Sequence, residues 1–423
     1  MEKKIKLGIF GLGRGNWFFT QIRHEGGEVV AVCEKEKWKI DRAKDWYKRA
    51  GGTDEDMFTV YTDFDEFIKH DMDAVMLCNC FNEHTKYAIK CLEKGISVLS
   101  ETQSNTTMAD GVELVRAAKK SKATYMLLEN YPFMLFNLEI KKVYENGTLG
   151  KALYCEGEYN HPGPSGNARR TVEYQPFEKH WRRHLPRTYY LTHALAPLMY
   201  ITGTRPKRVV ALPVYEPSPE SPSMVGDIAA AMMTVNEDNS VFRFFGHSSF
   251  GYEENSYRLC CKNGQIENRR GNEKEICLTY NEWSKPEDKE RINIYEAKWD
   301  EKDAEIASKM GHMGGDFFVI RAFFDTLRGK IENPFDVYFA TTLASVAILA
   351  HRSVLQGGMP YDIPDFRNEE ELVKWENDRI TPFYGEDGSK PNIPCCSNPA
   401  YRPTEEAVAW YRNALATEKF GDK

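Results

Sequence analysis

Ile5-Lys6-Leu7-Gly8-Ile9-Phe10-Gly11-Leu12-Gly13-Arg14-Gly15-Asn16, followed by Val29-Val30-Ala31-Val32-Cys33-Glu34, is the stretch that decides the fold. The apolar run 5–10 reads as a buried strand and 11–16 as a glycine-rich turn. Residues 17–24 read as a helix, and 29–33 as a second strand that ends on an acid. That order suits a dinucleotide. The glycines let backbone N–H groups approach a pyrophosphate at a helix N-terminus, and the acid accepts hydrogen bonds from the adenosine ribose. Asn16 stands at the third glycine position, and an ordinary βα turn is the alternative reading. An acid at 34 favours NAD over NADP, because a 2′-phosphate would meet like charge; Lys35 weakens the preference.

Outward from this stretch, helices and strands keep alternating. Residues 37–50, 84–94 and 108–121 read as helices, and 74–78, 96–100 and 124–128 as strands. This predicts an α/β Rossmann domain with a doubly wound parallel sheet. Ligands of such sheets bind beyond the carboxyl ends of the strands, which selects 11–15, 79–84, 101–103 and 129–130. Each has a plainer reading: His84 as a helix cap, Glu101 as a solvated loop acid, Asn130 as a turn residue before Pro132.

With 423 residues, 41% hydrophobic and 28% charged, the chain is long enough for two globular domains. Its net charge of −7 argues against general nucleic-acid or anionic-membrane binding. No run of about 18 apolar residues predicts a membrane span, and the first strand starts too early to leave room for a signal peptide. The ten cysteines lack paired zinc spacing and read as reduced thiols of a cytoplasmic protein; no histidine–carboxylate cluster predicts a metal.

Beyond residue 130 the period changes. A helix over 136–145 leads into a strand over 152–159, and further short strands are expected over 209–214, 228–235, 241–247, 257–261, 276–280 and 292–295. They predict an α+β domain with an open, mainly antiparallel sheet whose free face meets solvent or another subunit, giving a homo-oligomer (dimer or tetramer). Helices over 315–327, 337–355 and 404–416 complete the chain, and the expected boundaries are 1–130, 131–366 and 367–423. Within 161–187, Arg169, Arg170, Lys179, Arg182, Arg183 and Arg187 outnumber Glu173 and Glu178. This basic island reads as a solvated loop or subunit contact, or as the reader of an anionic substrate such as a uronate or sulfonate. Thr192 and His193 open an apolar helix, where a histidine is favoured in its neutral, proton-accepting form. A core or capping histidine is the alternative.

The array resembles the glucose-fructose oxidoreductase / inositol dehydrogenase (Gfo/Idh/MocA) family of NAD(P)-dependent enzymes. Where that family has a strand-end Glu-Lys-Pro whose lysine assists proton removal, this chain has Glu101-Thr102-Gln103. A threonine hydroxyl cannot act as a base near neutral pH, so a base is required elsewhere. Within the family the chain is most similar to the NAD-dependent glycosidases typified by retaining α-N-acetylgalactosaminidases. Leu128-Glu129-Asn130, Trp181-Arg182, Tyr190-Leu191-Thr192-His193 with Pro197, His312-Met313-Gly314-Gly315-Asp316, Asp336-Val337-Tyr338 and Pro364-Asp365-Phe366 carry that similarity. Leu191 departs from the family's proline, and the basic loop before it also differs.

The resemblance implies that Gly11, Gly13, Arg14, Gly15, Asn16, Glu34, Asn79, Phe81, Asn82, His84, Glu101, Thr102 and Asn130 line NAD. Tyr159, Arg182, Tyr190, Leu191, Thr192 and His193 would then line a small-molecule glycoside. His193 would accept the proton of the redox step, Tyr190 or Tyr159 would act at C2, and His312 and Asp316 would support the site. The implied reaction is glycoside cleavage by transient oxidation at C3, elimination, water addition and re-reduction. A sugar or cyclitol dehydrogenase, a 3-keto-glycoside-forming oxidoreductase and a non-catalytic nucleotide sensor are the alternatives.

Overall fold

The structure is a computed structural model that describes residues 4–162 and 177–416; Arg169, Arg170 and Glu173 of the basic island lie outside them. The chain forms two compact units. The first comprises Met1–Met134, Trp299–Ala344 and Phe366–Asp378, and the second Leu135–Lys298, Ser345–Asp365 and Arg379–Lys423.

In the first unit, β1 (Ile5–Phe10), β2 (Gly27–Cys33), β3 (Thr59–Tyr61), β4 (Ala74–Leu77), β5 (Ser97–Glu101) and β6 (Tyr125–Leu128) form one sheet in the order β3-β2-β1-β4-β5-β6. Every pairing is parallel. The doubly wound sheet expected from the sequence is therefore present. Ala74–Leu77 and Tyr125–Leu128 are buried at every position, which is why they read as continuous apolar runs. Thr107 Oγ accepts from the Asp110 N–H at 3.1 Å and so caps the helix Met108–Lys120. The returning segment closes the far edge: Leu127 N donates to Phe335 O at 2.9 Å and Asn333 Nδ2 to Tyr125 O at 2.7 Å. Three details differ from the expectation, the first being β3, a short strand that the apolar pattern does not predict. Residues 17–24 divide into a 3-10 turn, Gly15–Phe18, and a short α-helix, Phe19–His24. Glu101 is the last residue of its strand, not the first beyond it.

In the second unit, β7 (Ala152–Asn160), β8 (Pro206–Tyr215), β9 (Asp227–Asn236), β10 (Val241–Ser248), β11 (Glu254–Cys261), β12 (Gly264–Arg269), β13 (Asn272–Tyr280), β14 (Ile292–Glu296) and β15 (Tyr361–Asp362) form a nine-stranded open sheet. Its order is β14-β13-β12-β11-β7-β10-β9-β8-β15. All pairs are antiparallel except β7 with β10, which run parallel and set the carboxyl ends of these strands side by side. The expected mainly antiparallel sheet is present, with β12 and β15 in addition. Two glycines allow close approach to it. A Cβ at Gly157 would collide with the Ala194 carbonyl, and one at Gly246 would lie 2.5 Å from Leu191 Cα. The helix Thr192–Thr202 and the turn before it thus lie directly on β7 and β10.

The sequence reading finds no membrane span. The helix Val337–Leu355 nevertheless has the length and composition of one, and 83% of its apolar window is buried inside the fold. It is a core helix.

Burial also makes stability depend on pH. Burial lowers His84 and His351 from 6.5 to about 4 each, against hydrogen bonds to backbone carbonyls that raise them. The folded forms stay neutral where the unfolded forms take up protons, so stability falls as pH drops from about 6.5 toward 4. Each histidine should cost roughly 2 kcal/mol at pH 5 relative to neutral pH. Urea midpoints measured from pH 7 to pH 5 should fall accordingly. His351→Gln, which keeps a donor for Pro394 O, should flatten the slope; an unchanged slope would contradict the assignment.

Candidate active site

The first set of residues gathers where the strand order reverses, between the carboxyl ends of β1 and β4. Cys78 N donates to Phe10 O at 2.7 Å and Gly11 N to Cys33 O at 3.0 Å. Gly11 has φ +92, and a Cβ there would lie 2.5 Å from the Cys78 carbonyl, so both conformation and space demand glycine. An added Cβ at Gly13 meets nothing within 4 Å, so this part of the turn faces open space. Asn16 is 2% exposed, and its buried amide nitrogen and oxygen have no partner among the described residues. The Asn79 amide oxygen is in the same condition. Glu34 projects over the turn: Oε2 accepts from Leu12 N at 3.0 Å, and Oε1 from Lys35 N at 2.9 Å and Glu36 N at 3.2 Å. An open glycine cradle, unpaired buried amides and an acid fixed beside them fit the pyrophosphate and ribose of a dinucleotide.

Arg14 is held from two sides, by Glu101 Oε1 to its Nε at 3.1 Å and by Asp316 Oδ1 to its Nη2 at 2.6 Å. Asp316, 1% exposed, also accepts from Asn130 Nδ2 at 2.7 Å and lies 3.0 Å from His312 Nδ1. Burial pushes the Asp316 carboxyl up, but the His312 hydrogen bond and the Arg14 charge outweigh it and hold the group well below the usual carboxylate range. His84 bridges two strand-end loops, with Nδ1 3.1 Å from Gln103 O and Nε2 3.3 Å from Asn79 O. At 1% exposure it braces the loops that carry Asn79 and Gln103. Phe81 is buried, and Thr102 N donates to Glu101 Oε2 at 3.2 Å.

The second set lies in the second unit. Tyr159, near the end of β7, stacks on Tyr190 at 5.9 Å and meets His193 edge-on at 5.1 Å; Tyr190 meets His193 at 5.3 Å. Tyr257 fixes the helix start by donating to the His193 carbonyl at 2.5 Å. Two further histidines join these rings. His247 on β10 lies 5.6 Å from Tyr159 and 5.5 Å from Tyr190, and His161 lies 5.8 Å from Tyr159. Sequence reading does not single out either one. The signal for His247 is a polar ring near the end of the mostly apolar strand Val241–Ser248, and it lies beside Tyr159 because β7 and β10 are parallel. Thr192 and Leu191 are buried, and the backbone of Leu191 lies close against Gly246. Within the basic island Arg183 is neutralised by Glu178 at 2.7 Å, and Arg182 stacks on Trp181 at 4.3 Å. Arg187 donates to Asp227 O at 2.8 Å and to His247 Nδ1 at 2.6 Å.

A polar groove at the amino ends of β1 and β2, lined by Lys4, Glu25, Asp303, Arg321 and Arg328, belongs to neither set. Its Arg321 is spent on Glu25 and Asp303.

A doubly wound sheet with this glycine turn, followed by an open mixed sheet carrying a histidine–tyrosine cluster, defines an NAD-binding enzyme of the two-domain oxidoreductase class. Residues 5–129 match the oxidoreductase family with the NAD-binding Rossmann fold, and residues 217–372 match the C-terminal domain of glycosyl hydrolase 109. The chain is thus similar to the Gfo/Idh/MocA oxidoreductases in its first part and to their glycosyl hydrolase 109 branch in its second. An alpha-N-acetylgalactosaminidase of Bacteroides fragilis is 23% identical over 86% of this chain and 92% of its own length. A glycosyl hydrolase family 109 protein of Stenotrophomonas maltophilia is 22% identical over 86% and 89%. Among solved structures, levoglucosan dehydrogenase with NADH superposes with a TM-score of 0.71 at 15% identity, covering 86% of this chain and all of that one. An oxidoreductase of Agrobacterium radiobacter with NAD+, L-tartaric acid and magnesium gives 0.66 at 14%, covering 85% and 98%. These superpositions establish the fold.

Proposed function

We propose that this enzyme is a redox-neutral glycoside hydrolase that cleaves by oxidation at C3, elimination across C1–C2, water addition and re-reduction. The observation that carries the reading is the mutual contact of Tyr159, Tyr190 and His193, at 5.1 to 5.9 Å, in a chain whose strand-end base position is Thr102. NAD, when bound, supplies the two-electron acceptor that takes a hydride from C3 and gives it back. Gly11, Gly13, Gly15, Asn16 and Glu34 hold it, with Arg14, Asn79, Phe81, Asn82, His84, Glu101, Thr102 and Asn130 around them. His193 accepts the C3 hydroxyl proton and later returns it. The keto sugar has an acidic C2 proton, which Tyr190 or Tyr159 removes as the C1 substituent departs, and the same phenol reprotonates C2 when water adds at C1. No nucleophilic carboxylate is required, because no oxocarbenium ion has to be trapped.

The substrate in this reading is an anionic glycoside. Arg187, with no carboxylate on its guanidinium among the described residues, adds positive charge beside the ring cluster while it orients His247. Two wider features belong to the proposal. All ten cysteines are free thiols, which supports a reducing cytoplasmic setting. Leu153, Leu212, Met233 and Val235 on the open sheet are each more than a third exposed, which supports a homo-oligomer through that face.

Aryl glycosides, neutral and anionic, incubated with the NAD-loaded enzyme should release the phenol with no stoichiometric NADH at 340 nm. NADH accumulating while the glycosidic bond stays intact would replace this reading with a sugar dehydrogenase.

A further inference from the structure

His247 is 8% exposed and touches both tyrosines of the ring cluster. Its Nδ1 lies 2.6 Å from Arg187 Nη1. A guanidinium nitrogen can only donate, so Nδ1 must accept and the ring proton sits on Nε2. Nε2 has no hydrogen-bond partner among the described residues. Burial first, then the charge of Arg187 and the neighbouring His161, Arg182 and His193, pushes the imidazolium well below its ordinary range and keeps the ring neutral. Arg187 is fixed in turn by Asp227 O, and the Asp227 carboxylate is tied to Ser397. The arrangement is built to present one N–H, from a ring that cannot take up a proton.

We propose that His247 is a further substrate-contacting residue of this centre, a neutral hydrogen-bond donor to a sugar oxygen, and that Arg187 is its positioning residue. The inference rests on the reading that Tyr159, Tyr190 and His193 hold the sugar. The two histidines then divide the work. His193 takes and returns protons, while His247 donates to an oxygen that gains charge during elimination, a duty a neutral imidazole performs without losing its proton.

The test uses the NAD-loaded full chain and the aryl glycoside that the wild type turns over, scored by cleavage or by oxidation, whichever it shows. His247→Phe keeps the ring volume and loses the donor, and kcat/KM should fall by roughly 10²-fold. His247→Gln keeps an N–H and should fall less than about tenfold. NAD binding should be unchanged in both. Nitrogen-15 spectra of histidine-labelled enzyme should show His247 as the Nε2–H tautomer, and in Arg187→Met that tautomer should no longer be fixed. Equal losses in the two His247 variants, an unimpaired Phe variant, or an Nδ1–H tautomer would overturn the inference. Oxidation without cleavage by the wild type would overturn the glycosidase reading alone, because the variants and the spectra still report on the donor.

Discussion

His193→Ala is expected to lower kcat by about 10²–10⁴-fold while NAD affinity stays within twofold of wild type. The loss follows from position. Thr102 cannot act as a base, and His193 contacts both phenols of the cluster, as His247 also does. His247 cannot replace it, because its accepting nitrogen is bound to Arg187 at 2.6 Å. The NAD cradle is built from the first unit, and His193 belongs to the second, so nucleotide binding should not follow turnover. His193→Gln separates proton transfer from placement. A glutamine fills the space and hydrogen-bonds but accepts no proton, so it should be as slow as alanine. Wild-type turnover in His193→Ala, or full recovery in His193→Gln, would remove the assignment.

Asp316→Ala should destabilise the first unit by about 3 kcal/mol and weaken NAD binding roughly tenfold. Asp316 is a fully occupied acceptor for Arg14, Asn130 and His312. Removing it leaves the Arg14 guanidinium, 26% exposed, with only Glu101, and leaves the Asn130 amide without its acceptor. Since Arg14 keeps some contact with water, the low end of the cost of breaking a buried pair applies. Asp316→Asn, of equal size but uncharged, should fall between wild type and alanine. Urea midpoints and fluorescence titration with NAD measure the two effects. An unshifted midpoint with unchanged affinity would show that Arg14 is held by Glu101 alone.

The nucleotide half of the site was legible because it is local. The cradle and its acid lie within Ile5–Glu34, and apolar strands alternating with helices carry the parallel sheet. What lay outside sequence reading is what the topology brings together. Asp316 reaches Arg14 because the segment Trp299–Ala344 returns to the first unit, an arrangement with no signature in chain order. His247 meets Tyr159 because β10 pairs parallel to β7 inside an otherwise antiparallel sheet. Short strands escaped for a simpler reason: Thr59–Tyr61 and Tyr361–Asp362 hold too few residues for alternation to show. The charge of the basic island was legible, but its use was not. Arg183 is spent on Glu178 and Arg187 on orienting His247, which leaves less of it for a ligand than the count implies.

The most direct measurement is turnover of an aryl glycoside in D2O by the NAD-loaded enzyme, with the released sugar analysed by mass spectrometry and NMR. Oxidation followed by elimination predicts one deuterium at C2 of every sugar released, with no lasting NADH. Cleavage that leaves C2 fully protonated would mean direct displacement at C1 and would contradict the account.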